Sequence, residues 1–167
     1  MALLSNAQVV NMHNRTSDRN RGFTLLEVLV ALLVLSIGLL GLAALTTLGL
    51  RYNNSAYARS QATLLAYDIV DRMRSNRDQA ETTTAYVIDF GEAVATQDCE
   101  TGACGPAQLA NYDLGKWKTT LAQTLPKGDG SVSVQDLGGA RVYIVTVQWD
   151  DSRGQEPPVE FRIRTEL

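Results

Sequence analysis

The chain has 167 residues, 45% of them hydrophobic and 20% charged, with a formal net charge of −3. That leaves room for one globular domain and an appendage, and little more. The acidic balance argues against generic nucleic-acid binding, which depends on neutralising phosphates. With two cysteines and one histidine, His13, there is little from which to build a metal centre or a histidine-based catalytic site.

The average composition hides a strong asymmetry. A short leader carries Arg15, Arg19 and Arg21 against Asp18, and from Phe23 to Leu50 the chain is apolar with Glu27 as the only charge. These 28 residues would span roughly 42 Å as a helix, enough for a hydrocarbon core of about 30 Å. A secretory signal would have an apolar stretch of roughly 7–15 residues followed by a small-residue cleavage site. Here the stretch is about twice too long, and the signal-like residues Arg21-Gly22-Phe23 precede it. Cleavage there leaves the membrane helix on the mature chain.

Positive charge before the span favours a cytoplasmic N-terminus. Arg51 and Arg59 follow the span with no acid before Asp68, so charge alone gives only a weak bias. The strands and cysteines downstream suit an oxidising compartment, and the expected orientation is N-terminus inside, C-terminal domain outside. Within the span, Thr24, Ser36, Thr46 and Thr47 can return hydrogen bonds to the helix backbone. Gly38, Gly41 and Gly49 permit either close helix packing or local melting.

After Arg51 the helical period continues. Ala58, Ala62, Leu65, Ile69 and Met73 form an apolar stripe, with Asp68 and Arg72 spaced for an i,i+4 ion pair. One helix from about Phe23 to Arg77 would measure roughly 80 Å. Residues 79–167 form a globular head. Its connecting region, Glu81 to Lys118, has few periodic signals; Tyr86 to Phe90 reads as a short strand or a helical turn. Cys99 and Cys104 sit in a Gly-rich loop and can form a disulfide if their Cα atoms come within about 7 Å; half of a metal site is the alternative. Pro106 to Thr124 reads as helical, with Leu109, Trp117 and Leu121 buried.

From Ser131 the period changes to two. Ser131–Val134, Ala140–Trp149 and Val159–Thr165 read as three strands, with turns at Lys127-Gly128-Asp129-Gly130 and Leu137-Gly138-Gly139. Lys116, Lys118 and Lys127 are either a local basic patch or ordinary solvated lysines. The expected fold class is α+β.

The segment Arg21-Gly22-Phe23-Thr24-Leu25-Leu26-Glu27, opening an apolar helix after a basic leader, resembles the signal of type IV prepilins and type II secretion pseudopilins. The resemblance implies cleavage between Gly22 and Phe23 by a prepilin peptidase and N-methylation of Phe23. It also implies that Glu27 pairs with the amine of a neighbouring subunit during assembly. A carboxylate near one end of a membrane helix needs a partner in any case, and snorkelling to the surface is the simpler alternative. Family members often carry a helix-breaking proline in the span; this chain has none before Pro106.

Downstream, the Cys99–Cys104 loop, Pro106-Ala107-Gln108-Leu109-Ala110, Trp117 and Leu125-Pro126 resemble the minor pilin family called type IV pilus modification protein PilV. That resemblance implies a leader at 1–22, a membrane and assembly segment at 23–50, an amphipathic continuation at 51–78 and a periplasmic head at 79–167. The implied partners are the prepilin peptidase, other minor pilins, the major pilin and an inner-membrane assembly platform, with no cofactor and no metal. Losing the leader removes three Arg and one Asp, which takes the formal charge to −5. A type II secretion pseudopilin is the nearest rival, and a membrane-tethered enzyme or binding domain a more distant one.

Overall fold

The computed structural model describes residues 22–95 and 97–167. The leader charges Arg15, Arg19 and Arg21, and His13, lie outside them. The chain divides into two compact units, Met1–Leu45 and Thr46–Leu167.

The first unit contributes the start of α1 (Leu25–Ser75), whose opening residues are exposed on every side. Such a surface is foreign to water. The most apolar 18-residue window of α1 has a mean hydropathy of 2.8 with none of it buried, so the helix is long and apolar enough to cross a membrane. Ser36 Oγ donates to Leu32 O at 2.7 Å, the back-bonding expected of a hydroxyl inside such a helix.

The second unit is an α+β domain. Its order is the end of α1, then α2 (Arg77–Thr82), α3 (Pro106–Thr124), β1 (Asp129–Leu137), β2 (Ala140–Trp149) and β3 (Val159–Thr165). The strands form one antiparallel sheet in the order β1-β2-β3. β1 meets β2 from Asp129↔Gln148 to Leu137↔Ala140, and β2 meets β3 from Tyr143↔Thr165 to Trp149↔Val159. The apolar stripe of α1 becomes the core as the period predicts. Ala58, Ala62, Leu65, Ile69 and Met73 are buried together with Ala66 and Val70. They join Trp117, Leu121, Val132, Tyr143, Val145, Val147 and Trp149 in one cluster.

α3 begins at Pro106, whose fixed φ and missing N–H suit the first helical position. Gln108 Oε1 accepts from Gly105 N at 3.0 Å, closing that end. Within α3, Trp117 and Leu121 are fully buried, and the Trp117 indole N–H donates to Leu65 O at 2.8 Å. Leu109 is only half-buried, contrary to expectation. It belongs to the first turn, at the edge of the packed layer.

Three boundaries differ from the sequence expectation. α1 stops at Ser75 rather than near Arg77, and the short α2 follows. Tyr143 Oη and the Arg141 guanidinium both donate to carbonyls at the end of α2. The strand expected at Ser131–Val134 runs from Asp129 to Leu137, so Asp129 and Gly130 are strand rather than turn. Gly130 is required there by contact: a Cβ on it would collide with the Trp117 ring. Tyr86 to Phe90 forms neither a regular strand nor a helical turn, and Ile88 makes a single antiparallel bridge to Val132.

Candidate functional site

The site that the sequence singles out lies at the N-terminal end of α1, and its geometry is that of a helix start. Thr24 precedes the first helical residue. Its Oγ1 accepts from Glu27 N at 3.2 Å, and its carbonyl accepts from Glu27 N at 3.1 Å and Val28 N at 3.2 Å. Thr24 is therefore the N-cap, satisfying one of the donors that a helix start leaves open. Its hydroxyl accepts from an N–H ahead of it and does not bond back into a preceding turn as expected. The signal that would have found it is Thr24-Leu25-Leu26-Glu27, a threonine three residues ahead of a glutamate.

In the reciprocal form of that motif, the glutamate carboxylate would reach back to the cap. Here, among the described residues, Glu27 has neither an ion pair nor a side-chain hydrogen bond. Its charge lies near the positive end of the helix dipole, in the first turn, where an anion is favoured. Phe23, one residue before the cap, is 82% exposed, and Leu25 and Leu26 beside it are also exposed. A bulky apolar residue, a capped helix start and an uncommitted carboxylate thus follow one another within five positions.

The remaining residues of interest lie in the head. Cys99 and Cys104 are joined by a disulfide with their Cα atoms 5.6 Å apart. Asp98 closes the loop with Oδ1 accepting from Glu100 N at 2.9 Å and Oδ2 from Thr101 Oγ1 at 2.8 Å. Those hydrogen bonds hold its carboxyl below the usual carboxylate range. Glu100 then accepts from Tyr112 Oη at 2.6 Å and from Lys116 Nζ at 3.1 Å, which ties the loop to α3.

Lys116, Lys118 and Lys127 do not converge. Each is paired with its own carboxylate: Lys116 with Glu100, Lys118 with Asp129 at 2.8 Å, and Lys127 with Asp150 at 2.9 Å. They form no basic patch. Among the described residues no group of three or more His, Cys, Asp or Glu is placed to hold a metal ion.

A buried polar cluster had no sequence signal. Asp113 on α3 is 5% exposed, accepting from Tyr86 Oη at 2.7 Å and from the Arg72 guanidinium at 3.3 Å. Arg72 also holds Asp68 at 2.9 Å, the pair expected from spacing. Burial, followed by the hydrogen bond to Asp113, pushes the Tyr86 phenol well above its ordinary range. These partners are up to 41 positions apart, so only the folded chain shows them as one network. Its role is to register α1, α3 and the intervening turn.

Residues 17–43 match the prokaryotic N-terminal methylation motif, and residues 44–115 match a family described as type IV pilin Tt1218. Comparison with curated proteins and with solved structures gives no match. The two adjoining matches identify a type IV prepilin signal followed by pilin-family sequence, and together they support a type IV pilin.

Proposed function

We propose that this type IV pilin is a minor subunit of the pilus, of the PilV kind, that helps other minor pilins prime filament assembly at the inner membrane. One observation carries the reading. A capped helix start with Phe23 and an uncommitted Glu27 opens an apolar helical surface that none of the described residues covers. A surface of this kind needs lipid before assembly and other apolar helices afterwards.

In this reading a prepilin peptidase cuts between Gly22 and Phe23 and methylates the new amine of Phe23. Residues 1–22 are discarded. Residues 23–50 remain as the membrane and assembly segment, residues 51–78 connect, and residues 79–167 stand in the periplasm as the head. The new amine of one subunit seats beside Glu27 of its neighbour, because a carboxylate moved into an apolar bundle is costly without a positive partner. The Cys99–Cys104 disulfide suits the oxidising periplasm. The role is structural, with no catalytic residues, cofactor or metal, and the partners are other minor pilins, the major pilin and the inner-membrane assembly platform. The small cysteine ring and the α3 segment around Trp117 favour the pilus over a type II secretion pseudopilin.

Mass analysis of the mature N-terminus tests the class. Methylated Phe23 at the start supports it, and an intact leader or cleavage beyond Leu50 overturns it. Glu27→Ala should leave processing intact and strongly reduce incorporation into filaments, read by the amount of this subunit in sheared pili. Unchanged incorporation would remove the role given to Glu27.

A further inference from the structure

The apolar surface of α1 ends at Leu50, and the residues that follow it in the head unit gather an unusual set of side chains. Arg51, Asn54, Ser55 and Ala58 are spaced i, i+3, i+4 and i+7, so they share one helix face. Ser55 Oγ donates to Asp151 Oδ2 at 2.6 Å, which fixes the loop after β2 against that face. The resulting concavity is lined by Asn54, Tyr57, Lys127, Asp150, Asp151 and Arg153, among others.

Of the two acids in this concavity, Asp150 is ion-paired and saturated with donors, whereas Asp151 accepts from a hydroxyl and keeps its charge. Asp150 Oδ1 accepts from Gly154 N at 2.8 Å and Ser152 N at 3.1 Å, and Oδ2 from Lys127 Nζ at 2.9 Å. Asp151 is held by Ser55. The cations are less engaged. The Lys127 side chain is 75% exposed although paired, and Arg51 and Arg153 have no ion pair among the described residues. Arg153 is held in the left-handed region, φ 59°. At the next residue, a Cβ on Gly154 would lie 3.6 Å from Lys127 Nζ, so this turn and the ammonium are neighbours. Tyr52 and Tyr57, 73% and 61% exposed, flank the cluster with phenols of the kind that settle at membrane–water interfaces.

We propose that Arg51, Lys127 and Arg153 form a seat for the phosphate of an anionic phospholipid at the head-side edge of the apolar span. Lys127 and Asp150 cancel each other, and the unpaired Arg51 and Arg153 outweigh the single charge of Asp151, so the approaching phosphate meets a net positive set of donors. An anionic headgroup is favoured over a free anion because Arg51, on the helix face that carries Asn54 and Ser55, follows directly on Leu50, where a lipid's acyl chains would lie along the apolar helix. The inference rests on Phe23–Leu50 being inserted in a membrane.

The test is lipid competition. The full chain is reconstituted into nanodiscs containing equal phosphatidylglycerol and phosphatidylcholine, and native mass spectrometry reads the lipids it retains. Each cation near an anionic surface contributes roughly fivefold, so retained phosphatidylglycerol should exceed phosphatidylcholine by at least about that factor. Arg51→Gln/Arg153→Gln, which leaves the Lys127–Asp150 pair in place, should bring the ratio close to one. Arg164→Gln, the loss of one such charge on β3 outside the cluster, should leave it unchanged. Equal retention by the unmodified chain, an equal loss in Arg164→Gln, or displacement of the lipid by millimolar inorganic phosphate would each overturn the proposal. A chain that fails to incorporate removes the membrane reading and this proposal with it, whereas incorporation without lipid preference overturns this proposal alone.

Discussion

Helix α1 is one continuous element, yet its two ends solve opposite problems. Between Leu25 and Leu50 it is Leu- and Val-rich on every face, and all of those residues are exposed. Between Ala58 and Met73 the inward positions are three alanines with Leu65, Ile69, Val70 and Met73, all buried, while Leu64 and Tyr67 face outward. The backbone geometry is the same in both. The first part is uniform because a lipid-facing helix has no preferred side, and the second is one-sided because it packs into the core of the head, α3 included. Helicity therefore says little about environment, whereas the distribution of apolar residues around the helix says a great deal.

Four substitutions or conditions would break or sharpen this contrast. The largest effect is expected in the buried half. Trp117→Ala removes a fully buried ring and its bond to Leu65, and should destabilise the head by about 3–5 kcal/mol, measured by denaturant unfolding of the full chain in detergent. In the exposed half, Leu39→Lys should cost about 2.5–3.5 kcal/mol of membrane insertion. It should leave the head's unfolding midpoint where it was. A shifted midpoint would mean that the two parts are not independent.

The third concerns pH. The Tyr86 phenol is raised by burial and by Asp113, so the folded chain keeps a proton that the unfolded chain releases above about pH 10. Stability is fully retained below that pH and falls as pH rises beyond it. Tyr86→Phe should flatten this alkaline decline, at a cost near neutral pH of about 1–3 kcal/mol for leaving Asp113 short of a donor. A decline equally steep in the variant would exclude Tyr86 as its source. The smallest effect is at the cap: Thr24→Ala should weaken the helix start by about 0.5–2 kcal/mol. It would be seen as faster hydrogen exchange at Leu26 and Glu27 with no change in the head.

Much of this was legible in the sequence where a repeating period exists. The stripe on α1, the limits of α3, and the strands Ala140–Trp149 and Val159–Thr165 all follow from 3.6- or 2-residue alternation bounded by Pro or Gly. The misses share a different origin. Asp129 and Gly130 resembled a turn because Gly is a turn former, but Gly130 sits in β1 so that the Trp117 ring can lie against the strand. Asp113, Tyr86 and Arg72 meet only after folding. Lys116, Lys118 and Lys127 each find their own acid, and sequence spacing names none of those partners. At the N-terminal site, Gly22, Phe23 and Glu27 were legible as a motif. The cap at Thr24 is less legible, because only its place just before the helix distinguishes its hydroxyl from that of Ser36 inside it.

The alanines of the α1 stripe have one more consequence. Ala58, Ala62 and Ala66 are at most 7% exposed and leave no slack, so a volume added at one is felt at the others and at their neighbours across the core. Substitutions there should be strongly coupled, with double variants departing from the sum of their singles. Along Leu32 to Leu48 each side chain meets a yielding solvent, and its contribution should simply add. A set of double-mutant cycles would thus mark where, along a single helix, additive energetics give way to coupled ones.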